Sequence, residues 1–275
     1  MSDGASSSTG SSPIAFSPPR ALAVGAGAGL LSGLFGVGGG IVIVPGLVAV
    51  IGLDQRRANG TSLAAIFPIA GAAATSFIIS DSVDYAVAAL LASGTTIGVV
   101  VGTWGLRILP QRTLRVAFIV LLLVTAVRLF LASGDALGRA DISFGSAIAF
   151  VSVGLLTGAL SGLLGVGGGV IMVPAMLVLF DMPSAVAKGT DLLVIVATAA
   201  VGTRRNLRHG NADLRVAAVV GAGGAVVAVF AARISVGLSD TVSATSFAVL
   251  LLVIGGRMAW AELHRDGEED GEPRS

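Results

Sequence analysis

Residues 31–45 read LSGLFGVGGGIVIVP, and residues 160–174 read LSGLLGVGGGVIMVP. One phrase stands twice in the chain, 129 positions apart, and 11 of the 17 positions from 31 to 47 match their counterparts. The register then holds without a gap. Ala58-Asn59-Gly60-Thr61 falls on Ala187-Lys188-Gly189-Thr190, Asp84 on Asp213, Leu121-Leu122-Leu123-Val124 on Leu250-Leu251-Leu252-Val253, and Arg128 on Arg257. Self-similarity at a fixed long offset marks a duplicated structural unit, here of roughly 110 residues.

The material around the phrase is membrane material. Of 275 residues, 54% are hydrophobic and only 12% charged, and mean hydropathy is +0.92. A soluble domain carries about 25% charged residues. Apolar stretches follow one another at 61–80, 86–106, 114–133, 142–164, 214–232 and 242–261. A helix needs about 20 mostly apolar residues to span a bilayer. A transmembrane barrel needs alternating polarity instead, which these runs lack. The expected fold is an all-α polytopic bundle of two homologous repeats. Its parts are a Ser/Gly/Pro-rich tail over 1–19, repeat 1 over 20–134, a linker over 135–141, repeat 2 over 142–264, and an acidic tail over 265–275.

Charge and side-chain inventory exclude several function classes. A net charge of +1 gives no footprint for nucleic acid. The absence of cysteine removes disulfides, thiol chemistry and Cys-ligated metal. His209 and His264 fall in loop or tail positions, poor material for a metal site. No acid–base cluster or nucleophile–base pair stands out in the spans, so neither an enzyme nor a bound cofactor is expected. A Gly-x-Gly-Gly-Gly run without a P-loop lysine or a Rossmann context does not read as a nucleotide loop.

The glycine phrase breaks the first apolar run of each repeat, which then either crosses the membrane as a broken helix or returns as a re-entrant hairpin. Basic residues discriminate. With hairpins, one face holds Arg20, Arg56, Arg57, Arg107, Arg112, Arg115, Arg204, Arg205, Arg208, Arg215 and Arg265, and the other only Arg139, Lys188 and Arg233, a split of 11 to 3. With crossing segments the split is 7 to 7. Cytoplasmic loops are enriched in Lys and Arg, so the hairpin is favoured and both termini are expected in the cytoplasm. Each repeat then crosses three times, and the second must be inverted relative to the first. Trp104, Trp260 and Tyr85 fall near span ends, where amphipathic rings favour the headgroup level.

Gly36, Gly38, Gly39 and Gly40, with Gly165, Gly167, Gly168 and Gly169, permit positive φ and close backbone approach. Irregular backbone at membrane depth needs a protein or water-filled surround. Two readings stand. The helices starting after the phrases present free N–H groups and positive dipole ends, forming an anion site with Ser32 and Ser161. Alternatively, the glycines only let helices pack closely. Thr61 and Thr190 open the following spans and either line the same cavity or cap those helices. Asp191 stands where the first repeat has Ser62. It either carries a coupling proton, as intramembrane ionisable groups often do, or is a first-turn residue satisfied by the helix dipole, near Lys188. Arg128 and Arg257 either snorkel to the headgroups or pair with an anion in the pore. Asp84 and Asp213 read as helix caps.

The paired phrase, with the Ala-x-Gly-Thr element after each copy, resembles the TauE/SafE family of sulfite-exporter-like membrane proteins over about residues 21–262. The resemblance rests on Ser32, Gly33, Gly36, Gly38, Gly39, Gly40 and Pro45, and on Ser161, Gly162, Gly165, Gly167, Gly168, Gly169 and Pro174. It implies a multi-pass transporter of the cell membrane whose partner is a small anionic solute such as sulfite or an organosulfonate. Two other classes stay open. One is an anion channel, and the other a non-transporting membrane assembly protein.

Overall fold

The computed structural model describes residues 17–105, 116, 119–120, 122–127, 130, 143–164 and 168–269, with side chains except at 100–105, 160–164 and 261–269. Arg107, Arg112, Arg115, Arg128, Arg139, Gly165, Gly167, the 135–141 linker and most of both tails lie outside the described residues, as do the side chains of Trp104, Ser161, His264 and Arg265.

Every described element is helical. The order is α1 (Pro18–Phe35), α2 (Gly40–Gly46) running into a π turn (Leu47–Ile51), α3 (Gln55–Ile79), α4 (Tyr85–Gly105), then α6 (Phe144–Leu164), α7 (Gly169–Leu179), α8 (Ser184–Arg208), α9 (Leu214–Val236) and α10 (Asp240–Glu269). The helical residues described within 116–130 are called α5. Helices α3, α8, α9 and the Asp240–Trp260 part of α10 are long and apolar enough to cross a membrane.

Local chemistry sets the ends. Proline in the first turn starts α1, where a missing N–H costs nothing. Gly36, Gly38 and Gly39 stop it, with φ of 73°, 70° and 72°, a region that a side chain bearing Cβ strongly disfavours. Pro45 then removes a hydrogen bond from α2, and the chain relaxes into the wider π turn that follows. Asp84 and Asp213 are caps, as their sequence position suggests. Asp84 Oδ1 accepts from Ala86 N and Val87 N at 3.1 and 3.0 Å. Asp213 Oδ1 accepts from Arg215 N and Val216 N at 3.0 and 3.2 Å.

Each glycine phrase turns the chain back on itself. A methyl built on Gly39 would lie 2.6 Å from the Ala28 carbonyl oxygen, and one on Gly46 would lie 2.7 Å from Val24. Helix α2 therefore runs antiparallel beside α1. In the second copy Gly168 abuts Thr157, and the Phe180 ring stacks on Phe150 with centroids 3.9 Å apart. Each broken segment enters and leaves at its own end of the bundle, the two from opposite ends, so the re-entrant reading holds over the crossing one.

The duplication reappears as pairs of contacts between the halves. Gly25, Gly29 and Gly33 press on the α9 backbone at Val220, Gly224 and Ala228, so α1 and α9 run parallel. Subtracting or adding 129 gives Gly154 on Leu91 and Gly158 on Thr95, the parallel contact of α6 with α4. Small residues at four-residue spacing let membrane helices approach this closely. Gly60 meets Asn211 and Gly189 meets Ser82, so the equivalent helices α3 and α8 lie antiparallel. Equivalent helices pointing opposite ways make the two repeats inverted. Two apolar cores result, one around α1, α2, α3 and α9 and one around α4, α6, α7 and α10, with α8 contributing to both.

The exposed Arg20, Arg56, Arg57, Arg204, Arg205, Arg208 and Arg215 share one end, here the basic end, while exposed Arg233 stands at the other. Three sequence expectations need correction. Lys188 was counted with the sparse loop charges, yet it is 1% exposed inside α8. Thr61 and Thr190 do not open their helices, because α3 and α8 begin at Gln55 and Ser184. Capping of α3 falls to Asp54, whose Oδ1 accepts from Arg57 N at 3.0 Å. For the same reason Asp191 is beyond the first turn of α8, out of reach of dipole compensation there.

Candidate functional site

The two hairpins meet tip to tip between α3 and α8. A methyl on Gly169 would lie 2.7 Å from Val37 Cα and would collide with Asp191 Oδ2. Gly38 faces Ile195 near the middle of α8, with a methyl there 3.0 Å from Ile195 Cδ1 and 3.6 Å from Ile66 of α3. Gly36 packs on Lys188, 2.9 Å from its Cα by the same measure. The left-handed glycines thus place irregular backbone inside the bundle, where Lys188, Ile195, Ile66 and Ala28 pack against it.

Two residues that touch the second tip, Thr157 and Asp191, carry polar atoms without partners. Ser32, Ser62, Thr157 and Asp191 are buried, and Ser32 Oγ, Ser62 Oγ, Thr157 Oγ1 and both Asp191 carboxylate oxygens lack a hydrogen-bond partner. An orphaned buried polar group costs about 1–3 kcal/mol, and Thr203 Oγ1, further along α8, is a further such atom. Thr157 overlies Gly168 and Asp191 flanks Gly169, at the start of α7. Ser62 and Asp191 occupy equivalent positions in the two repeats. The junction is therefore pseudo-symmetric in backbone and asymmetric in charge.

Access is asymmetric too. A groove of about 400 Å³ runs along α2, lined by Gly40, Ile41, Val44, Pro45, Val48, Ala49 and Gln55. It leads from the first tip toward the basic end, where α3 begins. The corresponding face of α7 is covered at Val170 and Val173, the counterparts of Ile41 and Val44, at 1% and 0% exposure. Pro45 is exposed while its counterpart Pro174 is buried.

Of the residues singled out in the sequence, Gly36, Gly38, Gly39, Gly40, Gly168, Gly169 and Asp191 come together at or beside the tips. Ser32 lies one turn before the first. Thr61 and Thr190 serve elsewhere. Thr61 Oγ1 accepts from Asp213 N at 2.9 Å, and Thr190 Oγ1 accepts from Asp84 N at 2.9 Å. Each ties its helix to the loop that caps another. His209 is exposed at the end of α8, with Nδ1 2.7 Å from the Arg205 carbonyl. Sequence reading offers the Ser62 hydroxyl as a cavity lining and sets Lys188 and Asp191 against Asn59 and Ser62, but it passes over Thr157. For Lys188 a signal existed, since it is the only lysine among 17 basic residues.

Comparison with known proteins agrees with this architecture. The family model described as sulfite exporter TauE/SafE matches residues 4–129 and again 150–275. The chain is 29% identical over 214 residues to a probable membrane transporter protein, YunE, of Bacillus subtilis (strain 168), covering 68% of this chain and 77% of that one. It is 32% identical over 217 residues to a probable membrane transporter protein of Xylella fastidiosa (strain Temecula1 / ATCC 700964), covering 75% and 82%. No solved structure matches. With two copies of the family unit laid over inverted repeats, the chain belongs to the sulfite exporter TauE/SafE family of membrane proteins.

Proposed function

We propose that this protein is a secondary transporter that moves a small anion, such as sulfite or an organosulfonate, across the cell membrane by alternating access. The observation that carries the reading is the meeting of two glycine tips inside the bundle, with the partnerless buried polar atoms of Thr157 and Asp191 beside the second. Inverted repeats with broken helices and a central site are a recurrent plan of secondary transporters. The substrate-contacting set is Ser32, Gly36, Gly38, Gly39 and Gly40 with Ser161, Gly165, Gly167, Gly168 and Gly169. Thr61 and Thr190 flank it, their hydroxyls fixing the surrounding helices. Asp191 is the proton-coupling group. The open groove along α2 and the covered face of α7 fit a state accessible from the basic end. The excess of arginine there supports a cytoplasmic basic end, with both termini on that side. Repeats 20–134 and 142–264, joined by the 135–141 linker, form one transport unit.

The test is flux in proteoliposomes loaded with sulfite, with and without an imposed pH gradient. Saturable flux that follows the gradient is expected, with the dependence lost in Asp191→Asn. Non-saturating flux indicates a channel. Absence of flux for sulfite, sulfonates and small carboxylates alike overturns the transport reading and returns the glycines to packing.

A further inference from the structure

Lys188 stands apart chemically. Every other basic residue of the chain is an arginine, and those described are exposed, mostly at the helix ends. Lysine is a compact point charge with three rotatable donors, where arginine is a flat fork. Enclosing such a charge is costly unless a counter-charge accompanies it. Lys188 is 1% exposed and its hydrogen bonds go to hydroxyls, while the Asp240 carboxylate acts on it through space without a direct ion pair. Nζ donates to Ser235 Oγ at 3.0 Å and to Ser243 Oγ at a short contact. The Phe35 ring centroid lies 5.9 Å from Nζ.

These groups form a continuous polar track. At the end opposite the basic one, exposed Asp240 accepts from Ser184 N at 3.0 Å. Ser184 Oγ and Ser243 Oγ are 2.7 Å apart. Lys188 bridges Ser243 to Ser235, and Ser235 Oγ donates to the Leu34 carbonyl at 2.7 Å. Leu34 stands two residues before Gly36, which rests on Lys188 itself. The track therefore runs from one surface of the bundle to the first glycine tip, with Ser184, Ser235 and Ser243 each at most 3% exposed. In the other repeat the positions of Ser184 and Lys188 are held by Gln55 and Asn59, joined by a 3.2 Å hydrogen bond at the mouth of the α2 groove. Both half-paths are polar at the same two positions, and only one of them carries charge.

We propose that Lys188, with the hydroxyls of Ser184, Ser235 and Ser243, is an anion-binding station on the half-path opposite the basic end, and that it supplies the fixed positive charge of the transport route. This rests on the reading of the chain as an anion transporter and adds the residue that selects for charge. The ligand class is a small oxoanion. Its single charge offsets the ammonium, and its oxygens accept from Nζ and from serine hydroxyls that rotate from accepting to donating. In the structure described, the serines hold the ammonium in the anion's stead and keep that half-path shut.

The test uses the full chain in detergent micelles and follows thermal unfolding against sodium sulfite and, separately, sodium methanesulfonate. A ligand that binds only the folded state stabilises it in a concentration-dependent way that yields an apparent Kd. Wild type is expected to show a saturable shift with at least one of the two anions. Lys188→Gln is expected to weaken binding by about tenfold or more, since a buried charge–charge contact is lost. Ser243→Ala is expected to weaken it by about threefold, as the loss of one hydroxyl contact implies. Asp240→Asn, which removes a nearby like charge from the anion, is expected to tighten binding. If Lys188→Gln does not fold, Ser243→Ala and Asp240→Asn decide. A saturable shift with unchanged affinity in the folded variants overturns this assignment and leaves the transporter reading standing. No saturable shift with either anion in wild type overturns both.

Discussion

Replacing Asp191 by asparagine should make the protein more stable while uncoupling it from the pH gradient. Asp191 is fully buried, and neither carboxylate oxygen has a partner. The amide is isosteric, so no cavity opens. At about pH 9 the unfolded chain is ionised, and folding must either bury that charge or take up a proton, so the cost is felt in full. A buried unpaired charge costs several kcal/mol, whereas an orphaned neutral polar group costs about 1–3 kcal/mol. The difference favours the variant by about 2 kcal/mol, or roughly 30-fold in the unfolding equilibrium. The charged groups near it do not cancel the burden. Lys188, one turn away on the same helix, is engaged by Ser235 and Ser243. Asp84 of the α3–α4 loop is occupied in capping α4, and Asp240 of α10 accepts from Ser184 N. The assay is unfolding by SDS in mixed micelles at about pH 9 for wild type and variant, paired with proteoliposome flux. A variant destabilised by a comparable amount would refute the reasoning, because it would mean that the carboxylate is held by an interaction on which the fold depends.

Three further outcomes follow from the packing. Gly29→Val should prevent assembly, since the side chain would enter the α9 backbone at Gly224, and Gly158→Val should do the same at Thr95; size-exclusion profiles after solubilisation check both. Gly39→Ala should cost more than the roughly 1–2 kcal/mol of a left-handed alanine, because its methyl also meets the Ala28 carbonyl at 2.6 Å; a lowered unfolding midpoint with reduced flux is expected. Thr61→Val and Thr190→Val should each lose about 1 kcal/mol of stability through the hydrogen bond to Asp213 or Asp84, with flux per folded molecule retained.

Much of the architecture was legible in the sequence because it was written twice. A single copy of the glycine phrase reads first as helix packing, whereas two copies at one offset, with arginines crowded on one side, favour hairpins and inversion. What escaped was set by residues that break the apolar pattern. The span opening at Thr190 is read as starting too late because Lys188 and Asp191 dilute the first third of α8, which begins at Ser184, yet those are the residues the fold brings to the tips. The start of α3 was placed too late because Gln55-Arg56-Arg57 reads as loop, while Asp54 caps a helix there. Thr61 and Thr190 sit close to the glycines in spacing, but a helical turn points their hydroxyls at Asp213 and Asp84. Lys188 looked like a loop charge because sequence alone cannot show that three serines from three helices, Ser184, Ser235 and Ser243, close around it.

The parallel pairing of α1 with α9, and of α6 with α4, has a bearing on biogenesis and ancestry. Each pair joins segments from different repeats, so neither half can complete its own core on leaving the translocon. The first helix must wait beside the lipid until most of the chain has been made. The two halves expressed as separate polypeptides should be degraded alone and rescued together. A progenitor carrying a single copy would have had to insert in both orientations in equal measure, and assemble with its upside-down twin, before fusion fixed one of each in a single chain.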